Sequence, residues 1–128
     1  MTARRRTDID LGRTAVVETL AAIDARGEPG RTELATATRY LLDELAARAP
    51  GRSVEVRVPP HGVAQCGQGP RHTRGTPPNV VETDAVTWLE LATGRLTWAE
   101  AVTTGRVTAS GGRADLSGYL PLWSPART

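Results

Sequence analysis

The sequence predicts an α+β domain in which a mainly antiparallel sheet is covered by helices. Three observations carry this. Apolar residues recur at helical spacing over residues 12–26 and 34–49, and Val54, Val56 and Val58 then switch to strict alternation. After residue 83 an apolar run, a capping signal and a second alternation follow in that order. Strands grouped between helical pairs, with no internal repeat or linker, argue for segregated layers over an alternating βαβ chain.

The first helix is expected over residues 12–26, where Val16, Leu20 and Ile23 share one face, and Gly27 is placed to take the left-handed conformation that ends helices. Residues 1–8 hold Arg4, Arg5 and Arg6 and almost nothing apolar, so they are expected to form a flexible basic tail before a single domain over 9–128. After the turn Glu28-Pro29-Gly30, the residues Leu34, Thr38, Leu41, Leu42, Leu45 and Ala49 form a stripe of helical period that Pro50 and Gly51 terminate.

In the first strand, residues 53–58, Glu55 and Arg57 face away from the three valines, and Pro59-Pro60 ends it. A second strand is expected over 61–68, although Gly62 and Gly67 interrupt its alternation. Residues 70–79 read as an irregular loop and 80–83 as a short strand. Asp84 is then placed to cap a helix carrying Val86, Trp88, Leu89, Leu91 and Ala92, apolar on nearly every side and therefore buried.

Gly94 suits the end of that helix. Thr97 and Glu100 have the spacing of a capping box, in which hydroxyl and carboxylate each satisfy an exposed backbone donor. A helix to about Gly105 should follow, then a strand over 106–110 with Val107 and Ala109 on one face. Gly111-Gly112 turns the chain into a segment where Leu116 and Leu120 share a helical face, limited by Pro121 and Pro125.

Length and composition bound the function. The 128 residues suit one core, and with Phe absent and Met only at position 1 that core is built from Leu, Val, Ala and Trp. All 16 basic residues are Arg, and 14 acids leave a net charge of +2, too little to imply a nucleic-acid or membrane partner. The loop that carries Arg71 and Arg74 also lacks the aromatic residues with which single-strand readers stack bases. A lone cysteine and the lack of an apolar stretch of export or membrane-spanning length fit a cytoplasmic protein.

His61, Cys66 and His72 match no zinc-ligand spacing, so no metal or other cofactor is expected. Cys66 lacks an identifiable base and orienting group and reads as a buried thiol. No paired carboxylates and no phosphate-cradling glycine loop can be assembled, so the chain is read as non-catalytic.

The segments Thr87-Trp88-Leu89-Glu90-Leu91-Ala92-Thr93-Gly94-Arg95-Leu96, Ala101-Val102 and Gly105-Arg106-Val107-Thr108-Ala109-Ser110-Gly111, followed by Leu116 and Leu120, resemble the sterol carrier protein type two superfamily. The likeness is greatest to its small sterol-carrier-like domains from high-GC bacteria and covers residues 31–122. The resemblance implies a five-stranded sheet under helices and a C-terminal helix over an apolar cavity that holds sterols or acyl chains in lipid-carrying members. It does not imply one function, because the same fold serves as an accessory domain on enzymes.

Two groups of candidate ligand-binding residues follow. Trp88 and Leu91 of the buried helix, with Leu116, Tyr119, Leu120 and Trp123, are placed to close over an apolar pocket, or else to form ordinary core. Arg71, His72 and Arg74, on a proline-stiffened loop, are placed to hold the acidic head of a lipid or other apolar acid; the plain alternative is a solvated loop, or pairing with Glu82 and Asp84. The other reading is an accessory or homodimeric interaction domain without a small-molecule ligand.

Overall fold

In the computed structural model, residues 7–69 and 79–123 are described. Four helices and four strands run in the order α1 (Ile9–Asp24), α2 (Arg31–Arg48), β1 (Val54–Val58), β2 (Gly62–Cys66), β3 (Val80–Thr83), α3 (Ala85–Ala92), α4 (Trp98–Thr103) and β4 (Val107–Ser110). The α+β class and the order of these elements agree with the sequence.

Local chemistry sets the boundaries. The Asp8 carboxylate caps α1 by accepting from the Leu11 amide at 3.0 Å, and Asp84 caps α3 through the Thr87 amide at 3.2 Å. Both halves of the capping box form at α4: the Glu100 amide donates to the Thr97 hydroxyl, and the Glu100 carboxylate accepts from the Thr97 amide. At the end of α1 the left-handed residue is Arg26, at φ 58, and not the expected Gly27, whose amide instead reaches back to the Ala22 carbonyl.

The strands lie in the order β2-β1-β3-β4, with antiparallel pairs at β1/β2 and β3/β4 and a parallel pair at β1/β3. Register explains burial. Val54, Val56 and Val58 face the core, Cys66 lies opposite Val54, Val81 beside Val56 and Val107 opposite Thr83, so these side chains enter one apolar layer. Glu55 and Arg57 take the opposite face and pair with each other.

The core lies between this sheet face and the helices. Leu41 and Leu45 of α2 and Trp88, Leu89 and Leu91 of α3 are buried in it, and the Trp88 indole donates to the Thr38 carbonyl at 3.3 Å. Helix α1 packs on α2 with close approach at Gly12, where a Cβ would fall 2.4 Å from the Tyr40 ring.

Two expectations are corrected. The sheet has four strands among the described residues and not the five that the resemblance implies. The segment after β4, where a closing helix was expected, consists of turns. There the Asp115 carboxylate accepts from the Ser117 amide, and the Tyr119 amide from that turn bonds the Leu116 carbonyl, local bonds that compete with a helical ladder. The amides of Leu122 and Trp123 are then taken by the Ala92 carbonyl, so these residues neither continue a helix nor pair with the sheet.

Candidate functional site

The C-terminal end of α3 organises an apolar groove by collecting three pieces of chain. Gly94, at φ +82, lets the backbone leave α3 sharply, so that Leu96 and the capped start of α4 fold back beside it. The last carbonyl of the helix, Ala92, accepts from the amides of Leu122 at 2.8 Å and Trp123 at 3.0 Å, which ties down the C-terminal segment. Between these pieces lies a groove of about 440 Å³ lined by Leu91, Leu96, Trp98, Leu120 and Pro121, with Gly94, Thr97, Ala99 and Ser117 completing the wall.

No charged side chain lines this groove among the described residues. The nearest chain neighbours that carry charge are engaged elsewhere: Arg95 is paired with Asp24 at 2.9 Å, and Glu100 is held by the Thr97 cap. The Arg95 guanidinium keeps the Asp24 carboxyl below its usual range, and the hydrogen bonds from Thr97 lower that of Glu100. Such a surface favours an apolar ligand body over an ionic one.

The residues predicted as ligand contacts separate into four places. Leu91 and Leu120 meet in the groove. Trp88 and Leu116 are wholly buried and fill the core beneath it, and Trp123 is buried against α1, with the Arg13 guanidinium 4.2 Å from its ring centroid. Tyr119 faces a separate pocket beside Gly67. Arg71, His72 and Arg74 lie outside the described residues.

Sequence reasoning missed Leu96, Trp98 and Pro121 as groove residues. For two of them a signal existed: Leu96 and Trp98 stand on either side of the Thr97 cap, where a helix start cannot bury both against its own turn. Cys66 is fully buried, and desolvation pushes its thiol up to about 11, so burial favours the protonated form. Among the described residues no cluster of three or more His, Cys, Asp or Glu side chains is placed to hold a metal, and no helix is long and apolar enough to cross a membrane.

Among the described residues, Arg48 pairs with Glu44 and Arg57 with Glu55, each an acid on its own element. No curated protein matches the chain. The model of one family, described as bacterial SCP ortholog, matches residues 30–122, a span that runs from the start of α2 through the groove to Leu122. With most of its length covered by that match, and with the α+β order of elements just described, the chain belongs to the bacterial sterol-carrier-like family.

Proposed function

We propose that this protein is a non-catalytic binding module that holds the apolar body of a lipid or other apolar acid in the groove at the end of α3. The observation that carries this reading is the groove itself: about 440 Å³, uncharged, and walled by Leu91, Leu96, Trp98, Leu120 and Pro121. Its volume lies in the range of small-molecule sites, roughly 300–1,000 Å³. The family match supports a lipid-binding type of domain.

Binding of a fluorescent fatty-acid probe tests the proposal. Trp98 is half-buried in the groove whereas Trp88 and Trp123 are in the core, so quenching of Trp98 by the probe is the expected signal. Leu120→Ala should weaken the probe severalfold. A chain that binds no probe and releases no small molecule on denaturing mass spectrometry would contradict the proposal.

One observation favours a second reading. Trp88, Leu89, Leu91, Leu116 and Leu122 fill the interior below the C-terminal segment, the region where a carrier would need an enclosed cavity. A filled core suits an accessory or homodimeric interaction domain. Sedimentation over a range of concentrations discriminates: a mass that rises with concentration supports this second reading, and a constant monomer mass opposes its dimeric form.

A further inference from the structure

A second pocket, of about 330 Å³, lies on the other side of residues 115–119 from the apolar groove, and the two linings share only Ser117. Its walls are Ser53 and Val54 at the start of β1, Gly67 and Gln68 after β2, and Arg113, Asp115, Gly118 and Tyr119. Arg113, Tyr119 and Ser53 bring hydrogen-bond donors to these walls, and Asp115 brings a carboxylate. The side chains of Arg113 and Tyr119 form no hydrogen bond or ion pair among the described residues, and the Ser53 hydroxyl is buried with no partner.

Two glycines keep this space open. A Cβ on Gly67 would come within 3.1 Å of the Tyr119 hydroxyl, and one on Gly69 within 3.0 Å of both the Arg113 guanidinium and the Ser53 hydroxyl. Both glycines have positive φ, +83 and +144, which side chains rarely tolerate. The Arg113 amide is fixed by the Asn79 side chain at 2.9 Å, and Asn79 is itself anchored to the Ser53 carbonyl at 2.8 Å, so the guanidinium stands on a braced piece of backbone.

We propose that this pocket binds a small monocarboxylate, with Arg113 as the charged partner and the Tyr119 hydroxyl as a second donor. A planar guanidinium presents paired donors that match a carboxylate, and charge-assisted bonds of this kind are the strong ones. The lining carboxylate is Asp115, turned to the Ser117 amide at 2.8 Å, which lowers its pKa. Its negative charge selects a monoanion over a phosphate dianion. Val54 and the Tyr119 ring supply apolar wall for a short alkyl chain.

The test is a titration of the isotope-labelled full chain with sodium butyrate, followed by amide NMR at constant ionic strength. Saturable shifts are expected at Gly67, Gln68, Gly69 and residues 113–119. Arg113→Gln should weaken butyrate about tenfold or more, as loss of a charge-assisted bond implies, and Tyr119→Phe severalfold. Arg31→Gln, at the exposed start of α2, should leave binding unchanged. The amide spectrum reports the fold of each variant, and Tyr119→Phe removes only an exposed hydroxyl. Shifts that stay linear in butyrate, an affinity unaffected by Arg113→Gln, or inorganic phosphate binding as tightly as butyrate would each overturn the proposal. Arg113→Gln should leave the fatty-acid probe in the apolar groove unaffected, so the two sites fail or stand separately.

Discussion

The Arg13 guanidinium lies 4.2 Å from the centroid of the Trp123 ring, and this contact joins the first helix to the last described residue of the chain. Trp123 is 6% exposed and its amide is held by the Ala92 carbonyl, so this residue joins α1 to the end of α3. Arg13→Ala should therefore cost at least about 0.5–1 kcal/mol, the worth of a partly exposed cation–π contact. Trp123→Ala should cost about 3–5 kcal/mol as a large-to-small core change. Urea unfolding midpoints check both, and a Trp123→Ala chain as stable as the parent would remove the C-terminus from the core.

Asn79 staples three segments with one side chain. Its amide donates to the Ser53 carbonyl at 2.8 Å and its oxygen accepts from the Arg113 amide at 2.9 Å, while its own carbonyl accepts from Glu55. Because Asn79 is buried, Asn79→Ala leaves the Ser53 carbonyl and the Arg113 amide without these bonds, keeps the one from Glu55, and should destabilise by about 1–3 kcal/mol per stranded group. Faster amide exchange at Arg113 than in the parent is the local readout.

Gly12→Ala sets two effects of opposite sign against each other. Inside a helix Ala is favoured over Gly by about 1 kcal/mol. Here the new methyl would meet Cγ and Cδ1 of Tyr40 at 2.4 Å and its Cβ at 2.7 Å, the near end of a buried ring that cannot swing aside. Overpacking of this kind costs about 1–3 kcal/mol, so the net change should be destabilising. A raised melting temperature would show that α1 can move off α2 freely.

Burial of Cys66 makes stability depend on alkaline pH. Its folded pKa is raised from the ordinary 9.0 to about 11 because burial penalises the thiolate. The unfolded chain therefore loses this proton first. The contribution of Cys66 is fully present below pH 9 and is lost as pH rises through about 11. Comparing the parent with Cys66→Ala isolates it: the stability difference between them should be constant from pH 6 to 8 and shift against the parent above 9. A thiol reagent should label Cys66 only at the rate at which the domain opens.

The order of elements was legible in the sequence for a local reason. Val54-Glu55-Val56-Arg57-Val58 alternates because one face is buried, and Asp84, Thr97 and Glu100 cap helices through backbone groups only three residues away. The candidate site was legible in part. Leu91 and Leu120 were singled out and do meet, but Trp98 joins them only because the turn after Gly94 brings α4 against the C-terminal segment.

By itself, then, the sequence determined where four helices and four strands form, which rests on periodicity and on capping bonds between near neighbours, and its residues 30–122 carry the family match. Tertiary structure alone decided that β1 and β3 pair in parallel and that Leu122 and Trp123 bond to the end of α3 in place of coiling. It also decided that Arg113, Tyr119 and Ser53 face one pocket. These depend on partners 25 to 66 residues apart in the chain, from Glu55 to Val80 and from Ser53 to Tyr119, and no local pattern encodes contacts at such separation.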